Sequence, residues 1–242
     1  MLVIMKNIKL IAMDLDGTLT QHKTPLDDIH TQTLQKLAKK YKLLMVGAGM
    51  CRRIFNQMNH FPIDILGNYG MQYAEYNEET SDIEIIFDEV RPCNKECVEQ
   101  RVTSLREKYG FKTFRGNNVE YHSSGCITFP ILGTEALAAD KLAFDPDRKK
   151  RRAIYDDVKS VFSDYTVFVG GSSSFDMAPF PFDKAYALAK YCEEHGISHD
   201  EVVYIGDDYG PGGNDESVYK SDFNYLTIDN YEDFPEVVKD LL

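Results

Sequence analysis

Two acidic turns, far apart in the chain, carry residues whose types and spacing suit phosphoryl-group chemistry. The first is Asp14-Leu15-Asp16-Gly17-Thr18, and the second is the Gly-rich segment 206–215. A carboxylate can attack a phosphoryl group and form an aspartyl-phosphate. A second carboxyl can protonate the leaving oxygen and then deprotonate the incoming nucleophile. The pair Asp14 and Asp16 therefore fits a nucleophile and its proton carrier.

The residues around this pair are suited to holding a phosphate and a metal ion. Gly17 permits a tight turn whose backbone N–H groups can bind phosphate oxygens, and the Thr18 hydroxyl can support that turn. Two acids and a phosphate repel one another, and Mg²⁺, which prefers carboxylate and phosphate oxygens, removes that repulsion. Asp207 is the expected second metal ligand. Asp208, Asn214 and Asp215 are nearby candidates for the same site, and Lys184 is the expected cation for the transferring phosphoryl group.

The elements that must position these turns alternate between strands and helices, a pattern typical of parallel βαβ units. Ligands bind such sheets at the carboxyl ends of the strands, where both acidic turns are expected. A helix is predicted to start at Thr24 as its N-cap, followed by Pro25. The remaining predicted strands and helices at the two ends of the chain are 8–13, 43–46, 52–58, 63–66, 183–195, 202–205, 225–228 and a last helix from 231.

The middle of the chain has a different pattern, typical of an antiparallel α+β unit. Its predicted segments are a hairpin of 71–76 and 83–87, a helix over 94–109, strands at 111–115, 119–122 and 126–131, a helix from 145 to 162, and strands at 166–169 and 174–178. The sequence thus predicts an α/β fold, in which a Rossmann-like parallel-sheet core carries an inserted α+β cap. The predicted core is 1–82 with 183–242, and the predicted cap is 83–182.

Composition limits the possible partners. The chain has 242 residues and a formal net charge of -12, which argues against general binding to nucleic-acid phosphates. The basic run 148–152 is best interpreted as a solvated helix face. The odd number of five cysteines indicates free thiols rather than a disulfide framework. With no apolar run of membrane-spanning length and no clear signal-peptide pattern, we expect a cytoplasmic protein whose oligomeric state, monomer or homodimer, is open.

At its motifs the chain resembles the haloacid dehalogenase superfamily. The resemblance is carried by Asp14-Leu15-Asp16-Gly17-Thr18-Leu19-Thr20 after the first strand, Lys184 late in the chain, and Gly206-Asp207-Asp208 later still. Family members keep this order around an inserted cap. The resemblance spans nearly the full length of the chain and implies a magnesium-dependent enzyme acting on a small phosphorylated substrate.

A narrower resemblance is to the eukaryotic-type phosphomannomutases. The matching segments are 206–215 with its Pro-Gly-Gly-Asn-Asp ending, Val169-Gly170-Gly171 before Ser174-Phe175-Asp176, Phe182-Asp183-Lys184, and Arg115-Gly116 before Val119-Glu120-Tyr121. This resemblance implies that Asp14 is the nucleophile and Asp16 the acid/base. It further implies that Mg²⁺ is held by Asp14, the Asp16 carbonyl and Asp207, and that Ser174 and Asp176 reach the sugar from the cap.

Departures from that family concern the phosphate-binding positions. Phosphomannomutases hold the distal phosphate with cap arginines, and the corresponding positions here are His122, Thr134 and Lys141. Lysine is only a point charge, whereas arginine is a bidentate fork, so the grip on a bisphosphate is expected to be weaker. The family's Ser or Thr after the second core strand corresponds to Gly49. We therefore expect first a sugar-phosphate phosphatase, second a phosphohexomutase, and only remotely a non-catalytic binding protein.

Overall fold

The structure, a computed structural model, describes residues 7–242 and divides them into two compact units. Unit 1 contains the described residues up to Asp88 together with Lys184–Gly210 and Asp215–Leu242. Unit 2 contains Glu89–Asp183 and Pro211–Asn214. Residues 1–6 of the predicted core lie outside the described residues.

The described residues form eleven strands and nine α-helices. The strands are β1 (Leu10–Met13), β2 (Lys42–Val46), β3 (Asp64–Gly67), β4 (Gln72–Asn77), β5 (Asp82–Asp88), β6 (Glu120–Tyr121), β7 (Ile127–Pro130), β8 (Tyr165–Phe168), β9 (Ser174–Pro179), β10 (Val202–Gly206) and β11 (Asn224–Thr227). The helices are α1 (Asp28–Leu37), α2 (Cys51–Gln57), α3 (Lys95–Tyr109), α4 (Ala138–Phe144), α5 (Lys149–Arg152), α6 (Tyr155–Val161), α7 (Lys184–His195), α8 (Glu216–Tyr219) and α9 (Phe234–Val237).

Unit 1 is built on a seven-stranded sheet in the order β11-β10-β1-β2-β3-β4-β5. The strands β11, β10, β1, β2 and β3 pair in parallel, and β4 and β5 add an antiparallel hairpin at one edge. All four residues of β1 are buried. Alternate residues of the strand belong to two apolar clusters, which lie on opposite faces of the sheet. The predicted α/β fold with a mostly parallel central sheet is confirmed.

The boundary between the units lies later than the sequence suggested. The cap was predicted to start at residue 83, but β5 pairs with β4 from Asp82 to Asp88 and therefore belongs to the sheet of unit 1. Unit 2 starts at Glu89. It also includes the four residues Pro211–Asn214, because the Gly212 carbonyl accepts a hydrogen bond of 2.7 Å from the Val169 N–H.

Unit 2 contains a four-stranded antiparallel sheet in the order β6-β7-β9-β8. One face of this sheet is apolar: Ile127, Phe129, Phe175 and Met177 are buried in the core of the unit. On the other face the register places Glu120, Thr128 and Asp176 side by side. Because side chains alternate along each strand, this second face is polar.

Helix α1 begins later than predicted. Thr24 forms a turn by donating both its N–H and its hydroxyl to the Gln21 carbonyl. The N-cap is Asp27, whose carboxylate accepts the backbone N–H of His30 at 2.9 Å. The prediction of Thr24 as the cap was therefore wrong. The physical reason is that Asp is at least as good an N-cap as Thr.

Two predictions in unit 2 were also wrong. Residues 111–115 do not form a strand. The Phe111 N–H donates to the Arg106 carbonyl at the end of α3, and the Arg106 guanidinium donates to the Phe111 carbonyl. The helix predicted over 145–162 is two short helices, α5 and α6. Arg148 is the N-cap of α5 and has a φ of 57°, and the Asp145 carboxylate accepts the N–H groups of Lys150 and Arg151 in that helix.

Candidate active site

The nucleophile candidate is fixed by the central strand of unit 1. Asp14 follows β1 directly, and its N–H extends the ladder to β10 by donating to the Ile205 carbonyl at 3.0 Å. Its carboxylate is 7% exposed and forms an ion pair of 2.8 Å with the Lys184 ammonium. Asp14 therefore lies at the carboxyl edge of the sheet with little freedom to move.

Three carboxylates meet around this point. One oxygen from each of Asp14, Asp207 and Asp215 lies within 4.8 Å of the others. Burial raises the pKa of Asp14 to about 8, and the charges of Asp215 and Asp207 add to that rise although Lys184 opposes it. Burial and the charge of Asp215 likewise raise the pKa of Asp207 to about 6. The cluster thus holds more negative charge than Lys184 neutralises.

Lys184 is completely buried at the start of α7 and bridges two of these acids. Its ammonium lies 2.8 Å from Asp14 and 2.7 Å from Asp215. Burial lowers the pKa of Lys184, but the charges of Asp14 and Asp215 outweigh it, and the net pKa is raised. Lys184 is therefore a fixed positive charge beside the nucleophile candidate.

Asp215 holds the second acidic turn together. One oxygen of its carboxylate accepts Lys184 at 2.7 Å and the Tyr204 hydroxyl at 2.5 Å, and the other accepts the Asp208 N–H at 3.0 Å. Tyr204 was not among the residues expected from the sequence, because a tyrosine inside a buried strand is indistinguishable from an ordinary core residue. Asp215 was proposed as a metal ligand; it lies in the cluster, and its existing bonds suit it to orienting Lys184.

Gly17 and Thr18 bring Asp207 to the first turn. Gly17 has a φ of 99°, which favours glycine, and a Cβ there would lie 2.4 Å from an Asp207 carboxylate oxygen. The Thr18 hydroxyl donates to the Asp207 carboxylate at 3.0 Å. The two acidic turns predicted from the sequence therefore meet. Gly17 and Thr18 both position the Asp207 carboxylate there.

The cluster fits a hard divalent cation. Its donors are all carboxylate oxygens, and burial together with the charges of neighbouring acids raises the pKa of Asp14 and of Asp207. A bound cation would favour the ionised form of both. The Tyr225 hydroxyl is buried close by and has no hydrogen-bond partner among residues 7–242. A Cβ on Gly206 would lie 2.6 Å from both that hydroxyl and an Asp215 oxygen, so an unused polar atom borders the acids.

Asp16 belongs to a separate network that involves α2. Its carboxylate accepts the Lys23 N–H and the Gln57 amide, each at 2.7 Å, and lies 3.5 Å from the Arg53 guanidinium. Burial acts to raise the pKa of Asp16, but these donors and the charge of Arg53 outweigh it and hold the pKa below its usual range. Asp16 is therefore ionised, which suits removal of a proton from an acceptor hydroxyl.

Arg53 and Gln57 were not among the site residues expected from the sequence. The Gln57 carboxamide donates to Asp16 and, at 3.1 Å, to the Thr20 hydroxyl, while its oxygen accepts from Arg53 at 2.8 Å. Their spacing of four residues on a helix that follows Gly49 was the available signal. Gly49 lies at the start of this helix segment, and the Asn68 N–H donates to its carbonyl.

The remaining predicted substrate ligands belong to unit 2. Ser174 donates to the Gly170 carbonyl at 3.1 Å, and Asp176 accepts the Thr128 hydroxyl at 2.8 Å. His122 lies 3.2 Å from the same Thr128 hydroxyl, so Thr128 links two predicted ligands on the polar sheet face. Burial raises the pKa of Asp176, although Thr128 and His122 oppose that rise.

Two further predicted ligands are not part of that group. Lys141 lies on α4 and donates to the Thr134 carbonyl at 3.1 Å. Asn214 belongs to the short segment Pro211–Asn214 of unit 2 and directly precedes Asp215 of unit 1. Their roles toward a substrate stay predictions.

The fold and this arrangement of acids and lysine define an enzyme of the haloacid dehalogenase superfamily. A phosphatase of this superfamily from Bacteroides thetaiotaomicron is similar in fold, with a TM-score of 0.62 and 13% identity over 97% of this chain and 95% of that one. An N-terminally truncated IMP-nucleotidase from Plasmodium falciparum gives a TM-score of 0.69 and 16% identity over 98% of this chain and 71% of that one.

Sequence comparison gives the family within that superfamily. The sequence profile of the eukaryotic phosphomannomutases matches residues 30–241, and the chain belongs to that family. Phosphomannomutase from Schizosaccharomyces pombe is 26% identical over 226 residues, covering 87% of this chain and 84% of the relative. Phosphomannomutase from Drosophila melanogaster is 27% identical over 221 residues, covering 87% and 85%. Both resemblances stated from the motifs are confirmed.

Proposed function

We propose that this chain is a magnesium-dependent phosphohexomutase that works through an aspartyl-phosphate at Asp14. The observation that carries the proposal is the buried Lys184–Asp14 ion pair within the cluster of Asp207 and Asp215, in a chain of this family. From the sequence alone, we expected hydrolysis first. Membership of this family favours the mutase over the hydrolase, because the similar curated relatives are named phosphomannomutases.

The chemistry divides among few residues. An Asp14 oxygen forms a bond to phosphorus while the bond from phosphorus to the sugar oxygen breaks, and that oxygen takes the proton that the Asp16 carboxylate gained from the acceptor hydroxyl in the preceding transfer. Asp16 then accepts the proton of the attacking hydroxyl when the phosphoryl group leaves Asp14. Lys184 neutralises charge that develops beside Asp14. Asp14, Asp207 and the Asp16 carbonyl are the proposed ligands of Mg²⁺, which supplies charge neutralisation of the phosphoryl oxygens.

Hydrolysis is the second candidate, and a specific observation in unit 2 favours it. Lys141 donates to the Thr134 carbonyl and His122 contacts Thr128, so these positions do not present arginine forks to a second phosphate. Several arginines of the unit are also engaged: Arg91 with Glu89, Arg101 with Asp164, Arg106 with three carbonyls, Arg151 with Asp145, and Arg152 with the Pro211 carbonyl. A loosely held hexose phosphate would leave after phosphorylating Asp14, and water would then take the phosphoryl group from the aspartyl-phosphate.

One assay separates the two candidates. The 242-residue protein is incubated with Mg²⁺ and hexose 1- and 6-phosphates, with and without a hexose bisphosphate, while isomer interconversion and phosphate release are measured together. Interconversion that exceeds phosphate release and depends on the bisphosphate supports the mutase. Phosphate release exceeding interconversion supports the hydrolase, and the absence of both contradicts either function.

Two variants sharpen the assay. Asp14→Asn is expected to abolish both products, whereas Asp28→Asn, at an exposed position in the first turn of α1, serves as its matched control and should retain activity. His122→Arg adds a bidentate fork to the polar sheet face and should raise the ratio of transfer to hydrolysis.

The cytoplasmic location and the oligomeric state remain predictions. None of the described helices is long and apolar enough to span a membrane.

A further inference from the structure

Gly49 leaves room that the Arg53 side chain fills. A Cβ built on Gly49 would lie 2.2 Å from Arg53 Nη2, 2.4 Å from Nε and 2.6 Å from Cζ. The backbone of Gly49 is not in the left-handed region, so other residues could adopt its conformation. The close approach of the guanidinium is therefore what requires a residue without a side chain here.

This guanidinium lies beside the proton carrier of the proposed reaction. Arg53 Nη1 is 3.5 Å from the Asp16 carboxylate and donates to the Gln57 amide oxygen at 2.8 Å. Gly49 follows β2, which pairs in parallel with β1, the strand that leads to Asp14 and Asp16. The two loops therefore leave the same edge of the sheet. The Arg53 side chain is 45% exposed and so accessible to an anion from solution.

The charges at this edge leave a place for a second cation. Lys184 is fully buried and already bridges Asp14 and Asp215, so its single positive charge is shared between two acids. Arg53 has five N–H donors in a planar fork. Within residues 7–242, Gln57 and Asp16 contact its Nη1 atom. A phosphoryl dianion approaching four carboxylates needs more positive charge than Lys184 supplies.

We propose that Arg53, seated over Gly49, binds the oxygens of the phosphoryl group that is transferred at Asp14. This inference rests on the proposed phosphoryl transfer and adds a residue that binds the transferred group. The ligand class is a tetrahedral phosphoryl dianion, which a planar guanidinium matches with two parallel N–H donors. Arg53 and Gly49 depend on each other, because a side chain at position 49 would displace the Arg53 guanidinium.

Orthovanadate, a phosphoryl analogue that needs no turnover, provides the test. Its affinity for the 242-residue protein in saturating Mg²⁺ is measured by isothermal titration calorimetry. Arg53→Met is expected to weaken binding at least about tenfold, and Arg53→Lys should lie between that variant and the unaltered protein, because an ammonium keeps the charge but loses the fork. Arg52→Met is the matched control, since the adjacent Arg52 pairs with Asp82 and packs over Phe55.

Gly49→Ala separates a bound anion from a merely structural arginine. Its methyl group collides with the guanidinium, so it should weaken vanadate binding where Arg53 is present and have no further effect in the Arg53→Met background. The melting temperature without ligand identifies any variant that fails to fold, and Arg53→Lys keeps the proposal testable in that case.

Three results would overturn the inference: no vanadate binding by the unaltered protein, Arg53→Met within twofold of Arg52→Met, or the same effect of Gly49→Ala in both backgrounds. Failure of the proposed function looks different. In that case no hexose phosphate is converted, while vanadate affinity still depends on Arg53.

Discussion

Replacing Lys184 with methionine removes the buried cation and keeps most of its aliphatic length. The ammonium is 0% exposed and makes two charge-assisted hydrogen bonds, of 2.8 Å to Asp14 and 2.7 Å to Asp215. Breaking a buried ion pair from one side costs about 3–5 kcal/mol, because the carboxylates stay buried without their partner. At about 2–4 °C per kcal/mol for a chain of this size, the melting temperature should fall by about 6–20 °C.

Urea unfolding in EDTA at pH 7.5, followed by circular dichroism, measures this loss. The control is Lys190→Met on the same helix, α7, where the lysine is 40% exposed and lies 3.9 Å from Glu194. That variant should change the free energy of unfolding by no more than about 0.5 kcal/mol, as is typical of exposed pairs. If Lys184→Met unfolds within about 1 kcal/mol of Lys190→Met, the buried ammonium does not neutralise the acids as we reason.

Three other predictions address the acidic turns, the cap core and the metal. Gly17→Ala puts a methyl 2.4 Å from an Asp207 oxygen and should weaken Mg²⁺ binding in calorimetry; Gly110→Ala, also at positive φ but with open space around it, should leave Mg²⁺ affinity unchanged. Arg151→Met removes the cation of the buried ion pair with Asp145 and should lower the free energy of unfolding, measured in urea, by about 3–5 kcal/mol. A loss below about 1 kcal/mol would contradict this reasoning. Because burial raises the pKa of Asp14 from 3.8 to about 8, the folded metal-free protein holds a proton that the unfolded chain releases. Its urea midpoint should therefore fall as pH rises from about 4 to 8, and Mg²⁺ should reduce that fall.

The elements that the sequence predicted well are those whose signal is local. Strands β1, β2 and β10 are short aliphatic runs, and their burial on both faces of the sheet matches that composition. In unit 2 the predictions failed where a distant or buried polar group determined the local structure. The Arg106 guanidinium donates to the Phe111 carbonyl, so that group is not available to pair a strand at 111–115, and the Asp145 carboxylate accepts the Lys150 N–H at the start of α5.

The sequence by itself determined the order of the chemistry along the chain: an acidic turn after a buried strand, a late lysine, and a second acidic turn. Periodicity and motif spacing are sufficient for that, because parallel strands bring their carboxyl ends to one edge. Only the tertiary structure decided which partners each side chain has. Asp215 is bonded to Tyr204 and Lys184, and Arg53 occupies the space over Gly49. Such contacts depend on distances between separate elements, and local sequence patterns do not specify those distances.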